Sequence, residues 1–265
     1  MIPAGERWEK VQRYPSMFSR IIVAGIDVDK LLDKTALVCG AGGLGVIVAE
    51  ILARTGIGRL IIIDKDTVGE ENFNRLGFNA KDIGKKKASV LAKRLLNLRN
   101  SGGVDEWFEL KVEAYCENVI AWEKLEGLIS RSDLAFTCFD NLDARLEVNF
   151  YAIKYRVPIF DGGTSTDGLR GTVTTVIPGV TPCIRCYNDP STTISLEWEK
   201  PPGECGASLA TTMCIVASFQ VDQALRYLLK YGEITPRLRI TLDENILLTK
   251  ENILRRKDCE DCGGI

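Results

Sequence analysis

The chain has 265 residues, a formal net charge of −2, 26% charged residues and 45% hydrophobic residues. This length is enough for one large α/β domain or two small ones, and the small net charge gives no reason to expect nucleic-acid or membrane partners. Because no apolar run approaches the roughly 20 residues of a membrane span and residues 1–15 lack a signal-peptide core, we expect a cytoplasmic protein.

The sequence contains nine cysteines and no histidine. An odd number of cysteines cannot pair completely, and in a cytosolic chain such cysteines more often bind metal or react. The absence of histidine excludes Ser–His and Cys–His catalytic pairs and histidine-ligated zinc. Acid–base chemistry would fall to Asp, Glu, Lys, Cys or water.

Residues 1–34 are predicted to form a helical arm. Apolar side chains recur at helical spacing from Tyr14 to Ile22, with Arg20 between them. One interpretation is an amphipathic helix that covers the sheet, with Arg20 in solvent. The other is that Arg20 reaches a phosphate, donated across a dimer.

Residues 35–66 predict a strand, a tight turn, a helix and a second strand. Apolar residues 36–39 precede the glycine-rich turn GAGGLG at 40–45, and a second apolar run at 60–63 ends on Asp64. Glycines at Gly40, Gly42, Gly43 and Gly45 allow a sharp turn and close approach to a ligand, and the following helix start favours phosphate. Asp64 is placed to accept hydrogen bonds from ribose hydroxyls. The pattern predicts nucleotide binding without distinguishing NAD from ATP.

The segment after Asp64 is too polar for a core. It carries Asn72 and Arg75, which suit a polyphosphate because arginine presents a planar fork of donors. Residues 82–87, which include three lysines at 85–87, are predicted to open a helix that runs to about 98. Cations are unusual at a helix start, and a nearby anionic ligand would explain them, the alternative being a solvated charge run.

Strands and helices then alternate. Strands are predicted at 108–112, 133–138 and 158–160, and helices at 120–129 and 142–155. Asp140 and Asn141 follow the second of these strands, at the sheet edge where ligands of open α/β sheets bind. Residues 161–163 are predicted to be a loop. This alternation predicts a parallel sheet with right-handed crossovers.

The pattern changes after residue 168. Residues 168–178 alternate as an antiparallel strand does, 187–204 are predicted to be a mobile loop, 207–231 a long core helix and 238–248 terminal strands. The predicted fold is a doubly wound, Rossmann-like α/β sheet with a parallel N-terminal half and a mixed or antiparallel C-terminal part. We predict a single domain over residues 1–265.

Two CxxC pairs predict a metal site. Cys183, Cys186, Cys259 and Cys262 supply the four thiolates of a closed, tetrahedral, structural site, for which zinc is the favoured ion. An iron–sulfur cluster and a redox dithiol are the alternatives. Cys39, Cys138 and Cys214 lie in apolar runs and are predicted to be core residues, whereas the sequence leaves Cys116 undecided.

Several motifs together resemble a known family. These are GAGGLG at 40–45, DKDTV at 64–68, NFNR at 72–75, GKKK at 84–87, DN at 140–141 and the two CxxC pairs. In this order they resemble the ubiquitin-like-modifier-activating enzymes and the bacterial enzymes that adenylate the sulfur carriers of thiamine and molybdopterin synthesis. The segment GECGASLATTM at 203–213 looks like that of the compact, homodimeric branch that activates the ubiquitin-fold modifier.

The resemblance implies that residues 1–265 form a single adenylation domain, and it implies residue roles. It assigns Asp64 to ribose, Asn72, Arg75 and Lys87 to the phosphates of ATP, and Asp140 to Mg²⁺. By position, Cys205 would take the modifier as a thioester, and Arg20 would be donated to the partner subunit's ATP. The implied partners are a β-grasp protein that ends in diglycine, a second copy of the chain and a conjugating enzyme.

Three alternatives stay open at this point. A sulfur-carrier adenylyltransferase would act without an enzyme thioester. An NAD-dependent oxidoreductase is permitted by the glycine turn, although the basic residues and the lack of histidine count against it. A non-catalytic half of a heterodimer is the third, although Arg20, Arg75, Lys87 and Asp140 are all present.

Overall fold

The computed structural model describes residues 1–101, 105–188 and 207–264, and a sheet of eight strands runs through these residues. The strands are β1 (Thr35–Cys39), β2 (Arg59–Ile63), β3 (Lys111–Tyr115), β4 (Leu134–Thr137), β5 (Ile159–Thr164), β6 (Arg170–Val176), β7 (Arg237–Thr241) and β8 (Leu247–Glu251). Their order in the sheet is β3-β2-β1-β4-β5-β6-β7-β8. The first five strands in this order run parallel to one another, and the β5–β6, β6–β7 and β7–β8 pairs are antiparallel. The predicted fold class is confirmed.

Helices flank the sheet. Those in the described residues are α1 (Arg7–Arg13), α2 (Ser19–Val23), α3 (Asp29–Leu32), α4 (Gly43–Thr55), α5 (Lys87–Arg99), α6 (Leu125–Ser130), α7 (Leu142–Lys154), α8 (Ile184–Tyr187) and α9 (Ala210–Leu229). Helices α4, α5 and α9 contribute to one apolar cluster, and α6 and α7 contribute to another on the opposite face. Both faces of the parallel region are therefore covered, which explains its almost continuous apolar runs.

Alternate residues of β1 serve the two clusters. Ala36 and Val38 belong to the cluster with α4, and Leu37 and Cys39 to the cluster with α7. All four are fully buried. This alternation follows from the two-residue period of a strand. The strand order places β1 at the centre of the parallel region.

The chain winds outward from β1 in both directions. Strand β2 pairs with one side of β1 and β4 with the other, so the carboxyl ends of β1 and β4 diverge into separate connections. This divergence is the topological switch point at which open α/β sheets bind ligands. The glycine turn follows β1, and Asp140 follows β4, so both candidate segments lie at this edge.

The N-terminal arm packs at the end of the sheet that lies opposite the glycine turn. Phe18 lies with its ring centroid 6.2 Å from that of Phe108 and 5.0 Å from the guanidinium of Arg99. Arg99 is 1% exposed and donates to the carbonyls of Ala53 at 3.1 Å and Ile57 at 2.5 Å. These carbonyls precede β2, so the arm covers the amino ends of the parallel strands.

Several predicted boundaries are wrong. The strand predicted at 108–112 is β3 at Lys111–Tyr115, because Phe108 packs against the arm instead. The helix predicted from residue 120 begins at Leu125, because Ala121 has a φ of 54°, which a helix cannot contain. The loop predicted at 161–163 is strand, because these residues pair with β6.

Other predictions differ at single residues. The helix that residues 82–87 are predicted to open begins at Lys87, the last of the three lysines. Tyr187, predicted to begin a mobile loop, ends α8 and is buried, whereas residues 189–206 lie outside the described residues. Cys39 is buried as predicted, but Cys138 and Cys214 are only half-buried. In the described part of the chain, no helix has both the length and the apolar character needed to cross a membrane.

Candidate nucleotide-binding site

The glycine turn brings two backbone segments into close contact. Gly40 has a φ of 95°, and a Cβ there would lie 2.7 Å from the carbonyl oxygen of Cys138. A Cβ on Gly45 would overlap the carbonyl oxygen of Gly40. Only glycine fits both positions, so the first turn of α4 packs directly on the end of β1. The first backbone N–H groups of α4, which have no acceptor within the helix, therefore face the carboxyl edge of the sheet.

Asp64 closes this turn from the neighbouring strand. Its Oδ2 accepts a hydrogen bond from the Ala41 N–H at 2.6 Å, and its Oδ1 accepts one from the Asp66 N–H at 2.8 Å. The residue is 9% exposed, and burial raises the pKa of its carboxyl group above the ordinary value. Each oxygen keeps a second lone pair, so Asp64 can still accept a bond from a hydroxyl group.

Two cationic side chains lie beside the turn. A Cβ on Gly43 would lie 3.0 Å from Cδ of Arg75, which places this arginine against the start of α4. The Nε of Arg75 is buried without a hydrogen-bond partner among the described residues. Lys87 begins α5, is 9% exposed and reaches Asp66 with its Nζ at 3.2 Å. An arginine with an orphaned donor beside bare helix N–H groups fits an anionic ligand.

Asn72 is fixed by its own turn. Its Oδ1 accepts a hydrogen bond from the Gly69 N–H at 3.0 Å, and the residue is 5% exposed. Because the oxygen is engaged, the Nδ2 amide is the group that Asn72 can direct to a phosphate. The structure thus brings Asn72 onto the segment that also carries Arg75.

Asp140 and Asn141 form the loop between β4 and α7. Both are exposed, and Asn141 caps α7 by accepting the Ala144 N–H at 2.9 Å. Its side-chain oxygen is therefore used by the helix, and Asp140 is the carboxylate of this loop that can meet a ligand. Cys138, which touches Gly40, places the loop next to the glycine turn.

One predicted site residue, Arg20, is not brought to this edge, and another lies outside the described residues. Arg20 lies on α2, within the arm that packs at the amino ends of the parallel strands. A site in the same subunit is thus remote from it. Cys205 lies outside the described residues, and the structure gives no position for its thiol.

The four predicted metal-ligating cysteines come together. Cys183, Cys186, Cys259 and Cys262 are buried, and their sulfur atoms lie within 4.8 Å of one another. Burial raises the pKa of the Cys183 thiol, so a thiolate at this position requires a compensating cation. Four sulfur donors at these separations fit a tetrahedral zinc ion with no open position.

Polar bonds join the two cysteine pairs around this cluster. Asn149, on α7, accepts the Ile184 N–H at 3.0 Å and donates to Asp261 at 2.6 Å. Arg185 pairs with the same Asp261 at 2.9 Å. The link between the two pairs therefore involves side chains as well as sulfur atoms.

Sequence reasoning missed the roles of two buried polar residues, Asn149 and Gln220, and of the half-buried Arg145. Asn149 and Arg145 were seen only as residues of a predicted helix, and Gln220 was not singled out. Their spacing carries one signal, because residues 145 and 149 are four apart and share a helix face. The partners of all three are distant in sequence, which no local pattern shows.

These features define a class: doubly wound α/β proteins whose switch-point turn is built to bind a nucleotide. Residues 16–262 match the ThiF family, and the chain belongs to this family. The family resemblance is thereby confirmed.

Two relatives and one solved structure support this assignment. The ubiquitin-like modifier-activating enzyme 5 of Bombyx mori is 32% identical over 214 residues, covering 78% of this chain and 54% of that protein. The protein of the same name from Oryza sativa subsp. japonica is 33% identical over 224 residues, covering 79% and 51%. The chain spans about half the length of these curated relatives. E. coli MccB, crystallised with ATP, has a TM-score of 0.77 and 25% identity, covering 99% of this chain and 76% of that one.

The glycine turn generates a prediction with a matched control. In Gly45→Ala, the new methyl group meets the Gly40 carbonyl, and we expect a loss of about 2 kcal/mol or more in the free energy of unfolding. Gly42→Ala introduces the same methyl group where nothing lies within 4 Å, and we expect little change in stability. Thermal and denaturant unfolding of both variants measure this difference. Equal stability of the two variants would contradict the packing described here.

Proposed function

We propose that this chain uses ATP to adenylate the C-terminal carboxylate of a ubiquitin-like β-grasp protein. A carboxylate oxygen attacks the α-phosphorus of ATP, the bond from that phosphorus to the bridging oxygen breaks, and pyrophosphate leaves. Two anions must approach in line, so the reaction depends on cations and positioning more than on an acid–base pair. The observation that carries the proposal is the convergence of the glycine turn, Asp64, Arg75 and Lys87 at the switch point of a ThiF-family chain.

Each residue has a role in this proposal. Asp64 accepts hydrogen bonds from ribose, and the turn at 40–45 supplies backbone N–H groups to the phosphates. Arg75 and Lys87 neutralise phosphate charge, and the buried Nε of Arg75 gains a partner. The similarity to MccB, which was crystallised with ATP, supports ATP rather than NAD as the nucleotide.

Asp140 is the residue that would hold Mg²⁺. Its exposed carboxylate beside the glycine turn is the hard oxygen donor that this ion prefers. When bound, Mg²⁺ would neutralise charge on the phosphates of ATP. Asn141 contributes by capping α7 and so holding the loop.

A thioester step on Cys205 is the second part of the proposal. The Cys205 thiolate would attack the acyl carbon of the adenylate, forming a thioester and releasing AMP. Support comes from the relatives named ubiquitin-like modifier-activating enzyme 5 and from the position of Cys205 in the chain. In the alternative, sulfide-level sulfur from an outside donor attacks the acyl carbon of the adenylate and releases AMP. The carrier then ends in a thiocarboxylate, with no covalent enzyme intermediate.

We further propose a homodimer. Arg20 lies on the arm at the far edge of its own sheet, so a phosphate contact would have to be made in the site of a partner subunit. A conjugating enzyme would be the next partner if the thioester forms. The single adenylation domain and the cytoplasmic location stay predictions.

We also propose that the four-cysteine cluster binds structural zinc. The ion would hold residues 259–262 against α8, and with four protein ligands it would leave no position for a substrate. Asn149 and Asp261 would support it by fixing the two cysteine pairs relative to each other.

Adenylation predicts exchange of labelled pyrophosphate into ATP that depends on a diglycine-ending β-grasp protein. Lys87→Ala removes a phosphate-facing cation and should lower the exchange rate by at least about 10-fold. Lys93→Ala, an exposed residue on the same helix, serves as the matched control and should leave the rate unchanged. Saturable NADH binding without ATP binding would contradict the proposal.

The thioester step predicts a different outcome for Cys205→Ala. This variant should keep pyrophosphate exchange but lose a covalent adduct with the β-grasp protein that reductant cleaves. Cys214→Ala, which changes a half-buried cysteine on α9, is the control and should form the adduct. If the unaltered enzyme forms no adduct and the carrier gains the mass of sulfur in place of oxygen, the sulfur-carrier alternative is correct.

Zinc binding predicts a role for Asn149. Asn149→Ala removes the Asn149 contacts that join the two cysteine pairs, and we expect zinc affinity to fall by about 10-fold or more. Metal content after graded chelation measures this, with Asn97→Ala on the exposed face of α5 as the control. Purified wild-type protein without bound zinc would contradict the zinc assignment, and unchanged affinity in Asn149→Ala would contradict the supporting role.

A further inference from the structure

A nearly buried ion pair crosslinks α7 to β5 beneath the candidate site. Arg145 pairs with Asp161, and their side chains are 14% and 8% exposed. The hydroxyl of Thr137, at the end of β4, donates to the same Asp161 oxygen at 2.6 Å. Asp161 therefore neutralises Arg145, whereas the Nε of Arg75, beside the glycine turn, has no hydrogen-bond partner among the described residues.

The same guanidinium also holds two backbone carbonyls. Its Nη2 donates to the carbonyl oxygen of Gly162 at 3.0 Å and to that of Phe139. Phe139 immediately precedes Asp140. One planar side chain therefore ties the loop that carries Asp140 to the neighbouring strand.

The loop is fixed on its other side by the cap of α7. Asn141 accepts the Ala144 N–H, so the residues on both sides of Asp140 are held by hydrogen bonds. On the opposite face of the sheet, Gln220 donates to the carbonyls of Phe160 at 2.9 Å and Thr137 at 3.3 Å. Gln220 thus secures the strand ends, and Arg145 secures the loop carbonyl next to Asp140.

We propose that Arg145 is a positioning residue for adenylation, which directs Asp140 toward the nucleotide through the Phe139 carbonyl. The inference rests on the proposed function, and it assigns Arg145 a role that acts through Asp140 rather than by contact with ATP or the acceptor. A rigid placement of Asp140 matters because displacement of a catalytic group by about 1 Å can cost about 100-fold in rate.

Arg145→Lys separates positioning from charge. The ammonium group retains a cation opposite Asp161, but it cannot reproduce the forked contacts with the Phe139 and Gly162 carbonyls. Arg131→Lys is the matched control, because Arg131 also makes forked contacts, at 2.9 and 2.6 Å to Glu113, on the exposed surface.

Pyrophosphate exchange gives the kinetic test. In Arg145→Lys, kcat should fall by about 10-fold or more while the KM for ATP changes by less than about threefold. Arg131→Lys should match the wild type. In an Asp140→Ala background, Arg145→Lys should cause no further loss, since both changes affect the same group. A kcat within about twofold of the wild type, or a loss that adds fully to that of Asp140→Ala, would overturn the inference.

Hydrogen exchange tests the same inference without turnover. Amides of residues 138–144 should exchange faster in Arg145→Lys than in the wild type, while those of β1 stay protected. Unchanged exchange across 138–144 would overturn the inference regardless of activity. A wild-type protein with no pyrophosphate exchange would instead contradict the proposed function and the inference with it, whereas an active wild type with an unaffected Arg145→Lys contradicts the inference alone.

Discussion

The candidate site depends on the close packing of the glycine turn, which joins β1 to α4, against the residues that follow β2 and β4. The Ala41 N–H bonds to Asp64, and the missing Cβ atoms of Gly40 and Gly45 let this turn approach Cys138 and the first turn of α4. These contacts orient the bare N–H groups of α4 toward the carboxyl edge of the sheet. They also hold the carboxylate of Asp64 beside the turn, where we propose that the nucleotide binds. A side chain added at Gly45 would separate these elements, so the same contacts serve the fold and the proposed binding site.

Helix α7 connects the proposed site to the cysteine cluster. Asn141 caps its first turn, Arg145 holds the loop before it, and Asn149 bonds to both cysteine-bearing segments. Arg145 and Asn149 are four residues apart, so they lie on one face of α7, and Asn141 precedes its first turn. The structural cluster and the loop of Asp140 are consequently attached to the same rigid element. This arrangement gives the four-cysteine cluster a physical connection to the geometry of the site.

Much of this fold could be predicted from the sequence because its main signals are local. The glycine turn, the apolar runs around Asp64 and the spacing of the CxxC pairs each depend on neighbouring residues. The wrong boundaries lie where contacts between residues that are distant in sequence decide the local structure. Phe108 joins the arm instead of a strand, and residues 161–163 extend β5 because β6 pairs with them. The roles of Arg145 and Gln220 likewise depend on partners that are remote in the sequence.

Detection of the acyl-adenylate is the most direct test of the proposal that this chain adenylates the C-terminal carboxylate of a β-grasp protein. The wild-type protein would be mixed with ATP, Mg²⁺ and a small β-grasp protein ending in diglycine, and the intact mass of that protein would be measured with pyrophosphatase present. We expect the mass of that protein to increase by one AMP less one water. Treatment with hydroxylamine should remove this increase, and a β-grasp protein that lacks its terminal glycine should not show it. ATP binding without this mass increase for any diglycine-ending β-grasp protein offered would contradict the account.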